Sequence, residues 1–240
     1  MTMGSLSHYE QFAALFDYPD ADYPARVRAA RRSVPGDCPV AATRLGAFAG
    51  ALPSAPGILP PDAVAEMQEI FTRSFDVQAI TTLSVGYLLF GDDYKRGELL
   101  ANLNREQRDA GVDCGRELSD HLPNVLRLMA RWQDQALVAE LVDEIVRPAV
   151  GRMIAEFGPE RMEQRSSLYA RHFRTLIASS AERGTIFREP LAALAAVLDR
   201  DFPGTARKRP EVDNDFLRSI GRELDIEANE GRPTPSGRMP

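Results

Sequence analysis

Apolar residues recur at helical spacing along most of the chain, and one stretch shows this pattern without interruption. Its six apolar residues lie four positions apart, at Leu137, Leu141, Ile145, Ala149, Met153 and Phe157. This spacing predicts a long amphipathic helix, with a kink where Pro148 removes a backbone hydrogen bond. No segment shows the sustained alternation of apolar and polar residues that is typical of a strand. The sequence therefore predicts an all-α protein.

Caps and breakers divide the remaining chain into further predicted helices. Ser7 and Glu10 form a capping box at the start of the first one, and prolines or glycines stop most of the others. The clearest of these helices run from Tyr23 to Arg32, Val40 to Leu52, Pro61 to Ser74 or Asp76, Thr81 to Phe90, and Pro159 to Ser179 or Ala181.

Composition separates a long globular part from a short tail. The chain has 240 residues, of which 44% are hydrophobic, so that residues 1–204 can bury one sizeable core. Residues 205–240 are charged and rich in Pro, Gly and Arg, a composition that is typical of disorder. We therefore predict one helical domain, 1–204, followed by a mostly disordered C-terminal tail, 205–240.

The charge and the cysteine content disfavour several functional classes. A net charge of -6 and a pI near 5.2 argue against a broad nucleic-acid surface, and the basic run from Arg26 to Arg32 is interpreted as a solvated helix face. Cys38 and Cys114 have no CxxC spacing, so neither a zinc site nor a disulfide is predicted. The N-terminus carries no secretory signal and no stretch of about 18 apolar residues occurs, which predicts a cytoplasmic protein without membrane insertion.

The sharpest polar feature is Asp120 followed by His121, at the predicted start of a helix with Pro123 in its first turn. A histidine beside a carboxylate can act as a general acid or base, or can orient a ligand. The alternative is structural, with Ser119 or Asp120 as the helix cap and His121 as a partly exposed first-turn residue. No third group nearby would complete a hydrolytic triad or a metal site, so no catalytic or metal-binding residue is predicted.

A second acidic stretch, DDYKRGE, lies upstream of this pair. Asp92 or Asp93 is predicted to cap a helix that ends at Gly111, a residue suited to a left-handed C-terminal cap. The alternative is a magnesium-dependent helical enzyme that acts on a diphosphate substrate. In that hypothesis Asp92, Asp93 and Glu98 hold the metal ion.

The apolar run TTLSVGYLLF lies close in sequence to these polar residues. Its apolar side chains occupy more than one helical face, which is typical of a buried helix or of the wall of an apolar groove. A groove with apolar walls and an acidic rim would suit an amphipathic, basic peptide helix. The candidate residues are Phe75, Tyr87, Leu89 and Phe90 for the walls and Arg96, Glu117, Asp120 and His121 for the rim.

Several blocks of the sequence together resemble a known family. They read FDYPD, EIFTRSFD, LLFGDDYKRGELLANL and RELSDHLPNVLRLMA, and with the looser block SLYARHFRTLI they extend over about two thirds of the chain. They resemble the redox-enzyme maturation chaperones of the TorD/DmsD/NarJ superfamily, most closely the nitrate reductase molybdenum cofactor assembly chaperone (NarJ) family.

The most specific part of the resemblance is the family pattern E-x-P-D-H-L-P. This chain matches it at Glu117, Asp120, His121, Leu122 and Pro123. Ser119 stands where the family commonly has proline, which predicts a less rigid turn. In the preceding blocks, the positions that align with the family are Phe75, Asp76, Gly91, Arg96 and Gly97.

The resemblance implies an all-α, TorD-like helical bundle that is a chaperone and not an enzyme, with no cofactor of its own. The implied partner is the N-terminal region of a molybdenum-containing, nitrate reductase-like catalytic subunit. A monomeric cytoplasmic chaperone would hold this region during cofactor insertion, before complex formation or export. The implied client-peptide-binding residues are Asp120, His121, Glu117, Pro123, Arg96, Asp76, Phe75, Tyr87, Leu89 and Phe90. A plain protein-interaction scaffold and the magnesium-dependent enzyme are the alternatives.

Overall fold

The structure, a computed structural model, describes residues 6–53, 58–164 and 184–204. Helices make up most of these residues, and within them the only β-type pairing is one isolated bridge. The prediction of an all-α protein is confirmed. The prediction of a disordered tail concerns residues 205–240, which lie outside the described residues.

The helices follow one another with short connections. In chain order they are α1 (His8–Ala13), α2 (Tyr23–Ser33), α3 (Pro39–Ala51), α4 (Pro61–Phe75), α5 (Val85–Phe90), α6 (Tyr94–Asp109), α7 (Leu122–Arg131), α8 (Gln135–Leu141), α9 (Arg147–Glu156), α10 (159–164, up to the end of that described range) and α11 (Arg188–Asp201). The rest of the helix predicted from Pro159, from residue 165 onward, lies outside the described residues. None of the helices within the described ranges is long and apolar enough to cross a membrane.

The long predicted helix is present but is interrupted by a wider turn. Residues Val142–Val146 form a π-helical segment between α8 and α9. Pro148 follows after one residue, Arg147, in the first turn of α9. Pro148 has no N–H to donate to the carbonyl of Glu144, and its ring crowds that carbonyl. A π turn that ends just N-terminal to a proline is one way in which a helix accommodates this conflict.

The core is built on aromatic side chains from distant parts of the chain. α11 packs against α3 and α9, and α1 packs against α2 and α7. The rings of Phe71, Phe75 and Phe187 lie with their centroids 5.1–5.5 Å apart. Phe48 and Phe157 extend this aromatic cluster through Phe187 and Phe75, respectively. These contacts join the helices into one body.

The helix predicted from Thr81 to Phe90 is shorter than expected, because it begins only at Val85. The residues before it run beside the segment that leads into α7. The N–H of Val85 donates to the carbonyl of Asp120 at 2.9 Å, and the N–H of Leu122 donates to the carbonyl of Leu83 at 2.8 Å. Tertiary pairing of the backbone has replaced the helical hydrogen bonds that the local sequence favours.

Candidate functional site

The backbone bridge between Ser84 and His121 brings the starts of α5 and α7 together. Residues that are more than thirty positions apart in sequence therefore lie side by side. The first turn of α7 contains Pro123, as predicted, where its missing N–H costs no helical hydrogen bond. The starts of α5 and α7, together with the part of α6 that packs against them, form the junction that is the candidate site.

Asp120 lies at the centre of the junction and is completely buried. Its Oδ2 accepts a hydrogen bond from Nε of Arg96 at 3.0 Å. Its Oδ1 is also buried, and it accepts no hydrogen bond from any residue that the structure describes. The prediction that Ser119 or Asp120 caps α7 is wrong: the N-cap residue is His121, and its side chain makes no capping hydrogen bond. The Asp120 carboxylate is turned inward to Arg96 instead.

Arg96 connects this carboxylate to the aromatic side chain of α5. Its guanidinium carbon lies 5.2 Å from the centroid of the Tyr87 ring, within cation–π range. The Arg96 side chain is 17% exposed, whereas Asp120 is fully enclosed. The ion pair is therefore buried on the acidic side and reaches the surface on the basic side. Tyr87, Arg96 and Asp120, all predicted site residues, are brought together here.

Gly86 allows α5 to approach Asp120 closely. A Cβ atom at this position would lie 2.8 Å from Oδ2 of Asp120 and 3.1 Å from Cδ2 of Leu99. The first distance is far shorter than a van der Waals contact, so any side chain here would displace the carboxylate that Arg96 binds. The sequence gives no sign of this requirement, because Gly86 lies in an ordinary apolar run.

Gly86→Ala is expected to lower the free energy of unfolding by about 1–3 kcal/mol, because the added methyl group must push against Asp120 and Leu99. Urea unfolding followed by circular dichroism would measure the change. Gly97→Ala in α6 is the matched control, since its Cβ would meet nothing within 4 Å. Alanine is the better helix former, so the control should be neutral or stabilising. Equal changes in the two variants would contradict the close approach at Gly86.

Buried polar side chains hold the loop that precedes α7. Nε2 of Gln107 donates to the carbonyl of Ser119 at 2.8 Å, and Nδ2 of Asn124 donates to the carbonyl of Leu118 at 3.1 Å. The Ser119 hydroxyl donates to the carbonyl of Leu100 on α6 at 2.9 Å. The less rigid turn predicted from serine in place of proline is therefore compensated by a hydrogen bond that proline could not make. Gln107 and Asn124 were not foreseen as site residues, because single polar residues in helices carry no sequence signal.

His121 lies half-buried among charged groups from three parts of the chain. Burial lowers its pKa below the usual 6.5, and the carboxylates of Glu117, Asp17 and Asp120 oppose this shift only in part. The imidazole is therefore mainly neutral at pH 7 and can both donate and accept a hydrogen bond. Arg127, which forms an ion pair with Asp17, is the nearby cation. Asp17 and Arg127 were missed by the sequence analysis, although Asp17 belongs to the FDYPD block.

The other predicted residues divide between surface and core. Glu117 and Asp76 are exposed, while Tyr87, Leu89 and Phe90 are partly buried on α5. Phe75 is only 8% exposed and lies in the aromatic cluster, so it does not form the wall of an open groove in this conformation. Leu118, which the sequence did not single out, is 53% exposed in the loop before Asp120.

The acidic stretch at the start of α6 has a structural role. Asp93 caps the helix, as predicted, by accepting a hydrogen bond from the N–H of Lys95 at 2.9 Å. Asp92 and Glu98 are exposed. Across the described ranges, no group of three or more His, Cys, Asp or Glu side chains is arranged to hold a metal ion. The hypothesis of a magnesium-dependent enzyme gains no support from these residues.

Comparison with known proteins adds no family assignment. No protein-family model matches the chain, and no curated protein matches it. A functional assignment therefore depends on the contacts described above and on the sequence blocks that carry the resemblance.

Proposed function

We propose that this protein is an assembly chaperone for a molybdenum-containing oxidoreductase of the nitrate reductase kind. It binds the N-terminal region of the catalytic subunit and supports cofactor insertion and assembly before complex formation or export. It acts by binding and release, without catalysing a reaction. The sequence blocks around Asp120 and His121 suggest the family, and the geometry at the junction of α5, α6 and α7 supports a binding role.

The observation that carries the proposal is the half-satisfied carboxylate of Asp120. A buried carboxylate whose second oxygen has no partner costs free energy that an apolar residue of similar size would not. Arg96 satisfies one oxygen, and Oδ1 keeps an acceptor site within the closed structure. A donor group of a client reaches this oxygen only when α5 or the loop before α7 moves. The site is therefore closed without a client, and the client donates the hydrogen bond that Oδ1 of Asp120 lacks.

The surface on either side of the ion pair has the character that a basic, amphipathic peptide requires. Tyr94, two residues before Arg96, is 72% exposed, and Leu118, two residues before Asp120, is 53% exposed. The exposed carboxylate of Glu117 lies next to Leu118. Apolar side chains would contact the apolar face of the peptide helix, and the carboxylate would bind its basic residues. An affinity near micromolar, about 8 kcal/mol, is enough to hold a client and still release it.

The test is to capture the client with the tagged full-length protein from its native cytoplasm, under anaerobic, molybdenum-limited growth. Mass spectrometry is expected to identify a molybdoenzyme catalytic subunit, and deletion of the N-terminal segment of that subunit is expected to abolish capture. Glu117→Gln with Leu118→Ser should lower capture at least tenfold without changing the far-UV circular dichroism. Both side chains are exposed, so their loss removes contacts with a client and not with the core.

The matched control is Leu137→Ser with Glu140→Gln, which removes an exposed leucine and an exposed glutamate from α8. Capture by this variant should equal that of the wild type. Equal loss in both variants would contradict a site at the α7 junction. A separate measurement gives the cofactor content of the captured client in cells that lack this protein. If the client keeps its full cofactor content there, the protein is a scaffold and not a maturation chaperone.

A further inference from the structure

A surface depression of about 300 Å³ lies between α2 and α3 and is lined by arginines. Its lining residues are Arg28, Arg31, Arg32 and Ala42. The three arginines are exposed and fall at spacings of one, three and four residues along α2, so that their side chains share one face. The sequence suggested a solvated helix face, whereas the structure brings these arginines to a single concave surface.

The arginines of this depression differ from others in the protein. Within the described ranges, Arg28, Arg31 and Arg32 make no ion pair or hydrogen bond, whereas Arg26 on the same helix pairs with Asp20 and Arg44 on α3 pairs with Glu189. Three uncompensated guanidinium groups create a local positive potential on a chain of net charge -6. Guanidinium groups bind carboxylates with favourable, often bidentate geometry. The depression is therefore suited to a segment rich in Asp and Glu.

The chain itself carries such a segment after its last described helix. Residues 211–230 contain seven acidic residues and two arginines, a net charge of -5. Residues 205–210, which include Arg207, Lys208 and Arg209, separate this stretch from Gly204, where the described chain ends. Six residues in extended form span about 20 Å, so the acidic stretch begins within reach of the neighbouring helices.

The end of α11 lies against the same part of the protein as the depression. Nε of Arg200 donates to Oδ1 of Asp37 at 2.5 Å. Asp37 belongs to the connection between α2 and α3, five residues after Arg32. A tethered segment has a high effective concentration near its attachment point, so ion pairs that are weak individually are sufficient for occupancy.

We propose that residues 211–230 of this chain dock in the arginine-lined depression between α2 and α3. Their carboxylates pair with Arg28, Arg31 and Arg32, and the docked segment covers this positive surface against other acidic partners. The proposal is independent of the client-binding function, because the depression shares no residue with the α5–α7 junction.

The test uses the small number of lysines in the full-length chain, whose only lysines are Lys95 and Lys208. Arg28→Lys with Arg31→Lys and Arg32→Lys keeps the positive charge and supplies amines for zero-length carbodiimide coupling to carboxylates. Peptide mapping of the monomer band should find these lysines joined to acidic residues of 211–230. The cross-links should fall at least tenfold in 1 M salt, where the screening length is about 3 Å.

The matched control places lysines at Arg105, Arg108 and Arg116, which are exposed outside the depression. Together with Lys95, they should give far fewer cross-links to the acidic stretch. Equal yields from the control would overturn the proposal, as would cross-links that occur only in a dimer band or only to acidic residues before 205.

A second measurement requires no coupling chemistry. Arg31→Glu with Arg32→Glu should speed tryptic cleavage after Arg218 and Arg222 severalfold, because the undocked segment is accessible to the protease. Arg105→Glu with Arg108→Glu, on α6, should leave the rate unchanged. An unchanged cleavage rate in the α2 variant would overturn the proposal as well.

Discussion

Arg96→Ala is expected to lower the free energy of unfolding by about 3–5 kcal/mol, because the fully buried carboxylate of Asp120 then loses the one hydrogen-bond donor that it has among the described residues. Asp120→Asn should cost less. It removes the buried charge, and the partly exposed Arg96 can then turn to water. Urea unfolding at pH 7 would measure both. The order of the two losses follows from the unequal burial of the two partners and would not hold for a surface ion pair.

A double-mutant cycle, made of Arg96→Met, Asp120→Leu and the two together, isolates the interaction from the loss of packing. Arg96→Met with Asp120→Leu replaces both charges by apolar groups and should recover much of the stability that Arg96→Ala loses. The matched control is Arg105→Ala, which removes an exposed ion pair with Glu106 on the same helix and should cost under about 1 kcal/mol. A loss from Arg96→Ala no greater than that of the control would contradict the assignment of Arg96 as the stabilising partner of Asp120.

The local signals in the sequence predicted the helical framework well. The apolar periodicity gave the all-α class, and Asp93 caps α6 as its position in DDYKRGE indicated. Gly111 has the positive φ of 66° expected of a left-handed helix end. These features depend on residues within one or two turns of each other. Propensity and capping are local properties, and they can be deduced without knowledge of the tertiary structure.

The sequence indicated which segments form the candidate site, but not which of their side chains contact one another. Asp120 is a good helix cap by its local context, yet it is buried against Arg96, which lies 24 residues away. The requirement for glycine at position 86 arises because the side chains of Asp120 and Leu99 lie against it, and neither is close to it in sequence. Each of these facts depends on which surfaces of α5, α6 and α7 meet, and one sequence does not specify those contacts.

The ion pair and the proposed binding role place opposite demands on the same residues. Arg96 holds Asp120 in a closed junction, while a client donor that binds Oδ1 requires the junction to open. Any client must therefore supply enough binding free energy to separate α5 from the loop before α7. Asp120→Asn removes the ion pair, and with it both the constraint on the junction and the negative charge at the acceptor oxygen. Its effect on stability and its effect on capture should therefore be measured in the same variant.

Phe75→Ala is expected to lower the free energy of unfolding by about 3–5 kcal/mol, because Phe75 packs in the aromatic cluster and its removal leaves a cavity there. Phe90→Ala, on the partly buried face of α5, should cost less. Thermal and urea unfolding would give both values. The sequence placed the two phenylalanines together in the wall of a client groove, whereas the structure separates their roles.

The conservative variant Phe75→Leu distinguishes a core residue from a client contact. It keeps an apolar side chain in the cluster and should retain most of the stability, and client capture should then be close to that of the wild type. If Phe75 contacts the client directly, capture falls in Phe75→Leu while the unfolding free energy barely changes. That result would mean that the aromatic cluster opens during binding and that the groove reaches the core, since a ring that is 8% exposed cannot otherwise meet a peptide.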